Sequence, residues 1–171
     1  KSQNEYLLIP NASNTAEVLE WMYKFKFKED LGINDITEKT TMISIQGPSA
    51  QGTLNNLIET PSVNLKRFRS TNSQYQGRNI FIGRTGYTGE NGFEIVSENT
   101  IGSSIWKHLL QLGVKPIGLG ARDILRLEAG LPLHGNEISK DINPYQANLE
   151  RFVSLNRDDY IANLSLKTIF E

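Results

Sequence analysis

The sequence predicts an α+β fold, antiparallel sheets flanked by helices, and three observations carry that reading. Ile43 and Ile45, and later Phe93 and Ile95, alternate with polar neighbours at the two-residue period of a strand. Val18, Met22 and Phe25 recur at helical spacing, as do Ile101, Ile105, Leu109 and Leu112. Hairpin text joins the later strands, where a parallel sheet would need regular strand–helix–strand repeats.

Taken in order, residues 6–9 (Tyr-Leu-Leu-Ile) read as a short strand closed by Pro10 and a turn rich in Asn and Ser. Asn14, with Glu17 three residues on, is the expected N-cap of a helix running to Tyr23 or Phe25. Gly32, Ile33, Asn34 and Asp35 form a turn-like cluster. Residues 42–45 make a strand, and Pro48 suits the first turn of a helix that carries Ala50, Leu54, Leu57 and Ile58 inward. Strands at 79–82 and 93–96 flank a glycine-rich stretch as an antiparallel hairpin with a long turn. A helix through Ile101 and Leu112 stops at Gly113, and a shorter one covers Leu119 to Glu128. The tail from Asn143, polar with scattered Leu, Ile and Phe, is expected to wrap back onto the core.

Composition narrows the function. A chain of 171 residues can bury roughly 70% of its unfolded surface. A net charge of −1 argues against binding nucleic acid by phosphate neutralisation, and Lys24, Lys26 and Lys28, the one basic cluster singled out, read as a solvated face. No run of 18 apolar residues suggests a membrane span. The absence of cysteine excludes disulfides, cysteine metal sites and thiol nucleophiles. His108 and His134 stand apart, without metal-ligand or triad spacing, so no metal site is expected. Gly118-Leu119-Gly120 begins a dinucleotide pattern, but Asp123 stands where its third glycine belongs, and 83–92 lacks the Gly-Lys-Ser/Thr ending of a phosphate loop.

The chemistry concentrates in residues 83–95, Gly-Arg-Thr-Gly-Tyr-Thr-Gly-Glu-Asn-Gly-Phe-Glu-Ile. Glycine at every third position permits positive φ and close backbone approach. Phe93 and Ile95 set Glu94 on the opposite face of their strand, where the carboxylate either faces solvent or meets a polar partner or ligand. Tyr87 either packs its ring on the hairpin or lines a pocket. Arg122 has no acidic residue three or four positions away, whereas Arg126 has Asp123. Arg126 is therefore assigned to structure, and Arg122 is left able to meet a distant anion.

The 83–95 spelling resembles the signature of the aminomethyltransferase, or T-protein, family of the glycine cleavage system. Residues 118–131, Gly-Leu-Gly-Ala-Arg-Asp-Ile-Leu-Arg-Leu-Glu-Ala-Gly-Leu, and the following Gly135-Asn136-Glu137-Ile138 resemble a second block of that family, and Ile9-Pro10-Asn11-Ala12-Ser13-Asn14 a third. The likeness covers essentially the whole chain. It implies a folate-binding aminomethyltransferase-like fold, with 1–41 completing a first folate-binding lobe, 42–140 a second α+β lobe, and 141–171 packing back ahead of a barrel domain. Family members are about twice as long and carry an earlier Gly-Gly-x-x-Asp-Asp segment with the catalytic aspartate. This chain lacks that segment, so the expectation is a central fragment with no catalytic residue of its own and no turnover alone.

The resemblance further implies tetrahydrofolate as cofactor and the lipoylated H-protein as partner, with Glu94 on the pterin ring, Tyr87 lining its pocket, and Arg122 and Asn11 as binding residues. A monomer is expected, cytoplasmic if bacterial and in the mitochondrial matrix if eukaryotic. Two other classes stay open. One is a non-catalytic folate-binding module, whose relatives carry a Lys-Gly-Cys-Tyr segment that a cysteine-free chain lacks. The other is a folate-dependent demethylase on the same scaffold.

Overall fold

The computed structural model describes residues 5–26, 31–59 and 65–170. It divides into two compact units, Ile33–Leu131 and a second assembled from Lys1–Gly32 with Pro132–Glu171.

In the unit Ile33–Leu131, strands β1 (Thr40–Gln46), β2 (Ser70–Tyr75), β3 (Arg78–Gly83) and β4 (Gly92–Glu98) form one sheet in the order β1-β4-β3-β2, every pair antiparallel. Ile95 lies opposite both Ile43 and Ile82, which puts three β-branched side chains in one row. Helices α2 (Ala50–Leu57) and α3 (Asn99–Gln111) supply Ala50, Leu54, Leu57, Ile105 and Leu109 to the same buried cluster. Burying each large member fully stabilises the fold by about 1.5–3 kcal/mol. Gly102 lets α3 close on the sheet, since a Cβ there would lie 2.9 Å from Thr41. Helix α4 (Leu119–Glu128) follows, with the bounds the sequence predicts.

Among the described residues, the one strand the sequence does not predict is β2. Its text, Ser-Thr-Asn-Ser-Gln-Tyr, is polar because it sits at the sheet edge and buries only Ser73 and Tyr75. Its hairpin with β3 turns through Gln76 and Gly77 at φ of 49° and 70°, the double positive φ of a tight β-turn. Three other expectations need correction. Residues 6–9 form no strand, because no ladder partner pairs with them among the described residues, and Tyr6 is 88% exposed. Pro48 precedes α2 without entering its first turn, and Ser49 occupies the N-cap. Asn14 is the N-cap of α1 (Thr15–Lys24) but makes no side-chain cap bond; the Thr15 hydroxyl instead donates to the Asn11 carbonyl at 3.1 Å.

The second unit contains α1 and α5 (Asn163–Phe170) amid turns. Its two sequence segments are joined by an ion pair between Lys140 and Glu17 at 2.9 Å. The tail folds on itself: the Tyr145 hydroxyl donates to the Leu166 carbonyl, Lys167 pairs with Asp158, and the buried Asn163 amide donates to the Arg157 carbonyl. Burial raises the Tyr145 phenol above its ordinary value, with the neighbouring Tyr160 adding to it. His134 pairs through its backbone with Ile138. Lys24 lies 5.8 Å from the Trp21 ring and 5.5 Å from that of Phe25; Lys28 falls outside the described residues.

Candidate functional site

The loop between β3 and β4 is organised by a residue the sequence reading passed over, Gln46 at the end of β1. Its amide nitrogen donates to the Ser44 hydroxyl at 2.8 Å and to the Thr85 carbonyl at 3.2 Å, and its amide oxygen accepts from the Thr88 hydroxyl at 3.4 Å. A Cβ on Gly86 or Gly92 would overlap this amide, so both glycines exist to admit a side chain. Gly89 serves differently: its φ is 77°, and a Cβ there would approach Ala129, just past α4, to 2.9 Å. The regular glycine spacing therefore answers two needs, close approach at Gly86 and Gly92 and positive φ at Gly89.

Arg84 braces the loop from its other side. Its guanidinium donates to the Leu65 carbonyl at 2.7 Å and, through two nitrogens, to the Asn91 side-chain oxygen at 3.0 and 2.8 Å. The same group lies 5.7 Å from the ring of Phe93.

Glu94 occupies the face opposite the buried Phe93 and Ile95, across from Ser44 on β1 and Gly83 on β3. It is half-buried, and the Thr85 hydroxyl donates to its carboxylate. Gln46 thus holds the Thr85 main chain while the Thr85 side chain holds Glu94. Among the described residues no cation pairs with Glu94, so its remaining lone pairs can accept further N–H donors.

Arg122 projects from α4 with its guanidinium carbon 4.7 Å from the centre of the Tyr87 ring, a cation–π contact. No carboxylate pairs with Arg122 among the described residues. Arg126 behaves as the sequence indicates: it is 2% exposed, paired with Asp123 at 2.7 Å, and donates to the Leu131 carbonyl at 3.2 Å. The structure therefore brings Tyr87 and Arg122 together and ties Glu94 to the same loop. Asn11 belongs to the other unit, exposed, where its carbonyl accepts from Thr15 and from the Asn14 main chain. Among the described residues no cluster of His, Asp and Glu is arranged to hold a metal ion, and no helix is long and apolar enough to cross a membrane.

A half-buried carboxylate, a π-face capped by an arginine and a cross-braced glycine loop thus lie together in an α+β domain. Residues 1–157 match the GCVT N-terminal domain, and the chain belongs to that family. It is 38% identical over 172 residues to the aminomethyltransferase of Halalkalibacterium halodurans, covering 98% of this chain and 47% of that protein. With the aminomethyltransferase of Alkaliphilus oremlandii it is 40% identical over 166 residues, covering 94% of the chain and 45% of the relative. Among solved structures it is similar to the glycine cleavage system aminomethyltransferase T from Bartonella henselae, with a TM-score of 0.73 and 34% identity over 85% of this chain and 39% of that one. The chain spans about half the length of the curated relatives it matches.

Proposed function

We propose that the chain carries the tetrahydrofolate site of a glycine-cleavage aminomethyltransferase. The one-carbon unit of an aminomethyl-lipoyl arm, borne by the H-protein, passes to tetrahydrofolate with release of ammonia. The observation that carries this reading is Glu94: a carboxylate oriented by Thr85, with acceptor capacity to spare, suits the adjacent N–H donors of a pterin edge. Tyr87 offers a flat surface for the ring, and Arg122 offers charge for the anionic end of the cofactor. Asn11 is proposed as a further binding residue on the family likeness alone. The folate supplies the nucleophilic nitrogen, and these side chains bind and orient it; none of them is assigned an acid or base role, and the chain alone is proposed not to turn over.

Calorimetric titration with 5-formyltetrahydrofolate tests the reading. Saturable binding is expected, with Glu94→Gln weakening it about tenfold or more, since a hydrogen bond to a charged group contributes about 1.5–3 kcal/mol. Equal affinity of the two proteins would remove Glu94 from the site, and no binding by the folded wild type would remove the folate. In a chimera that joins the chain to the segments of an aminomethyltransferase relative which it does not match, turnover with loaded H-protein, or with sarcosine-like or sulfonium donors, separates the transferase from a demethylase; folate binding without any turnover in that chimera favours the binding module.

A further inference from the structure

Residues 66–69, Lys-Arg-Phe-Arg, form an exposed basic turn beside the glycine-rich loop, a second cationic cluster that the sequence reading did not single out. The Arg69 N–H donates to the Lys66 carbonyl at 3.0 Å and closes the turn. Its third position is Phe68, at φ 60°. That conformation is ordinarily left to glycine or asparagine, and a bulky aromatic there is strained. Packing gives no reason for the choice, because the Phe68 ring is 74% exposed, with the Arg67 guanidinium 5.2 Å from its centre. Among the described residues none of Lys66, Arg67 and Arg69 has a carboxylate partner. Strain retained to hold an aromatic in solvent, among cations that pair with no carboxylate of the described residues, points to a surface that something else covers.

The turn is joined to the candidate site by hydrogen bonds. The Phe68 N–H donates to the Arg84 carbonyl at 3.0 Å, and the Arg84 N–H donates to the Arg69 carbonyl at 2.8 Å. The Arg84 side chain then spans from Leu65, at the base of the turn, to Asn91 in the glycine-rich loop. A partner seated on residues 66–69 is thereby placed alongside the loop that carries Tyr87 and orients Glu94.

We propose that this turn is the docking point for an acidic protein surface, that of the carrier which brings the one-carbon donor to the site; the partner's identity rests on the function proposed above. One aromatic flanked by arginines is the make-up of a protein hot spot, whereas a nucleic acid would call for a longer basic stripe than three cations on a chain of net charge −1.

The test is titration of the 171-residue chain with aminomethyl-loaded lipoylated H-protein at low and at physiological salt, comparing wild type, Phe68→Gly and Arg67→Glu/Arg69→Glu. Glycine relieves the positive φ, so Phe68→Gly is expected to melt no lower than wild type yet to bind the carrier at least tenfold more weakly. The double charge reversal is expected to abolish binding while leaving 5-formyltetrahydrofolate affinity unchanged. Carrier binding unaltered by either variant, absent in wild type, insensitive to salt, or outcompeted by duplex DNA would overturn the docking proposal. If the carrier fails but folate still binds, the folate reading survives; if folate itself fails to bind, that reading falls separately.

Discussion

Thirteen hydrophobic side chains, from Ile43 to Leu109, are buried together in the unit Ile33–Leu131, while among the described residues of the other unit Trp21, Tyr23, Phe152, Ile161 and Leu164 all stand in solvent. The first unit draws its stability from a sheet sealed on one face by two helices. The second is held by turns, local hydrogen bonds and exposed ion pairs, each contributing no more than about 1 kcal/mol. The carboxylate proposed to hold the folate is borne by the well-packed unit, on a strand whose neighbours on either side, Phe93 and Ile95, are almost fully buried. The group proposed to orient the ligand is thereby mounted on a well-packed strand.

The sharpest way to break this contrast is to truncate one apolar side chain in each unit. Ile95→Ala removes a side chain 1% exposed at the centre of the sheet and is expected to cost about 2–5 kcal/mol; Leu164→Ala, at a position 79% exposed, should change stability by less than about 0.5 kcal/mol. Urea unfolding reads both. Equal losses would mean that the second unit hides a core of its own weight.

A smaller effect sharpens the account of the loop. Gly92→Ala sets a methyl against the Gln46 amide and is expected to cost about 1–3 kcal/mol, as overpacking does. In a Gln46→Ala background the same change should cost much less, with a coupling of about 0.5–3 kcal/mol in a double-mutant cycle. Additive losses would show that Gly92 is needed for its backbone and that Gln46 does not shape the loop.

The smallest effect belongs to the second unit. Arg157 donates to both oxygens of Asp159, at 2.8 and 2.5 Å, and holds that carboxyl below its ordinary value of 3.8. A depressed carboxylate stabilises the fold above its unfolded pKa, and that contribution fades as pH falls through the lower folded value. Asp159→Asn should therefore lower stability slightly at pH 7 and not at all near pH 2, as thermal melts at the two pH values would show.

Much of the first unit was legible because its signals are local. The alternation at Ile43, Ile45, Phe93 and Ile95 names two central strands, and Gly113, at φ 81°, ends its helix where the text places the stop. Arg126 and Asp123 could be paired from spacing alone. The strand β2 was not legible, because an edge strand needs few apolar residues. Gln46 was missed for another reason: a glutamine ending a strand has no periodic signature, and its partners Thr85 and Thr88 lie 39 and 42 residues away. The strand expected at 6–9 failed because a short apolar run before a proline cannot supply a ladder partner.

The most direct measurement is a crystal structure of the chain with 5-formyltetrahydrofolate. The pterin edge is expected to donate to the Glu94 carboxylate at ordinary hydrogen-bond distance, with Tyr87 and Arg122 lining the same cofactor. Folate bound elsewhere, with Glu94 still held by Thr85 alone, would contradict it.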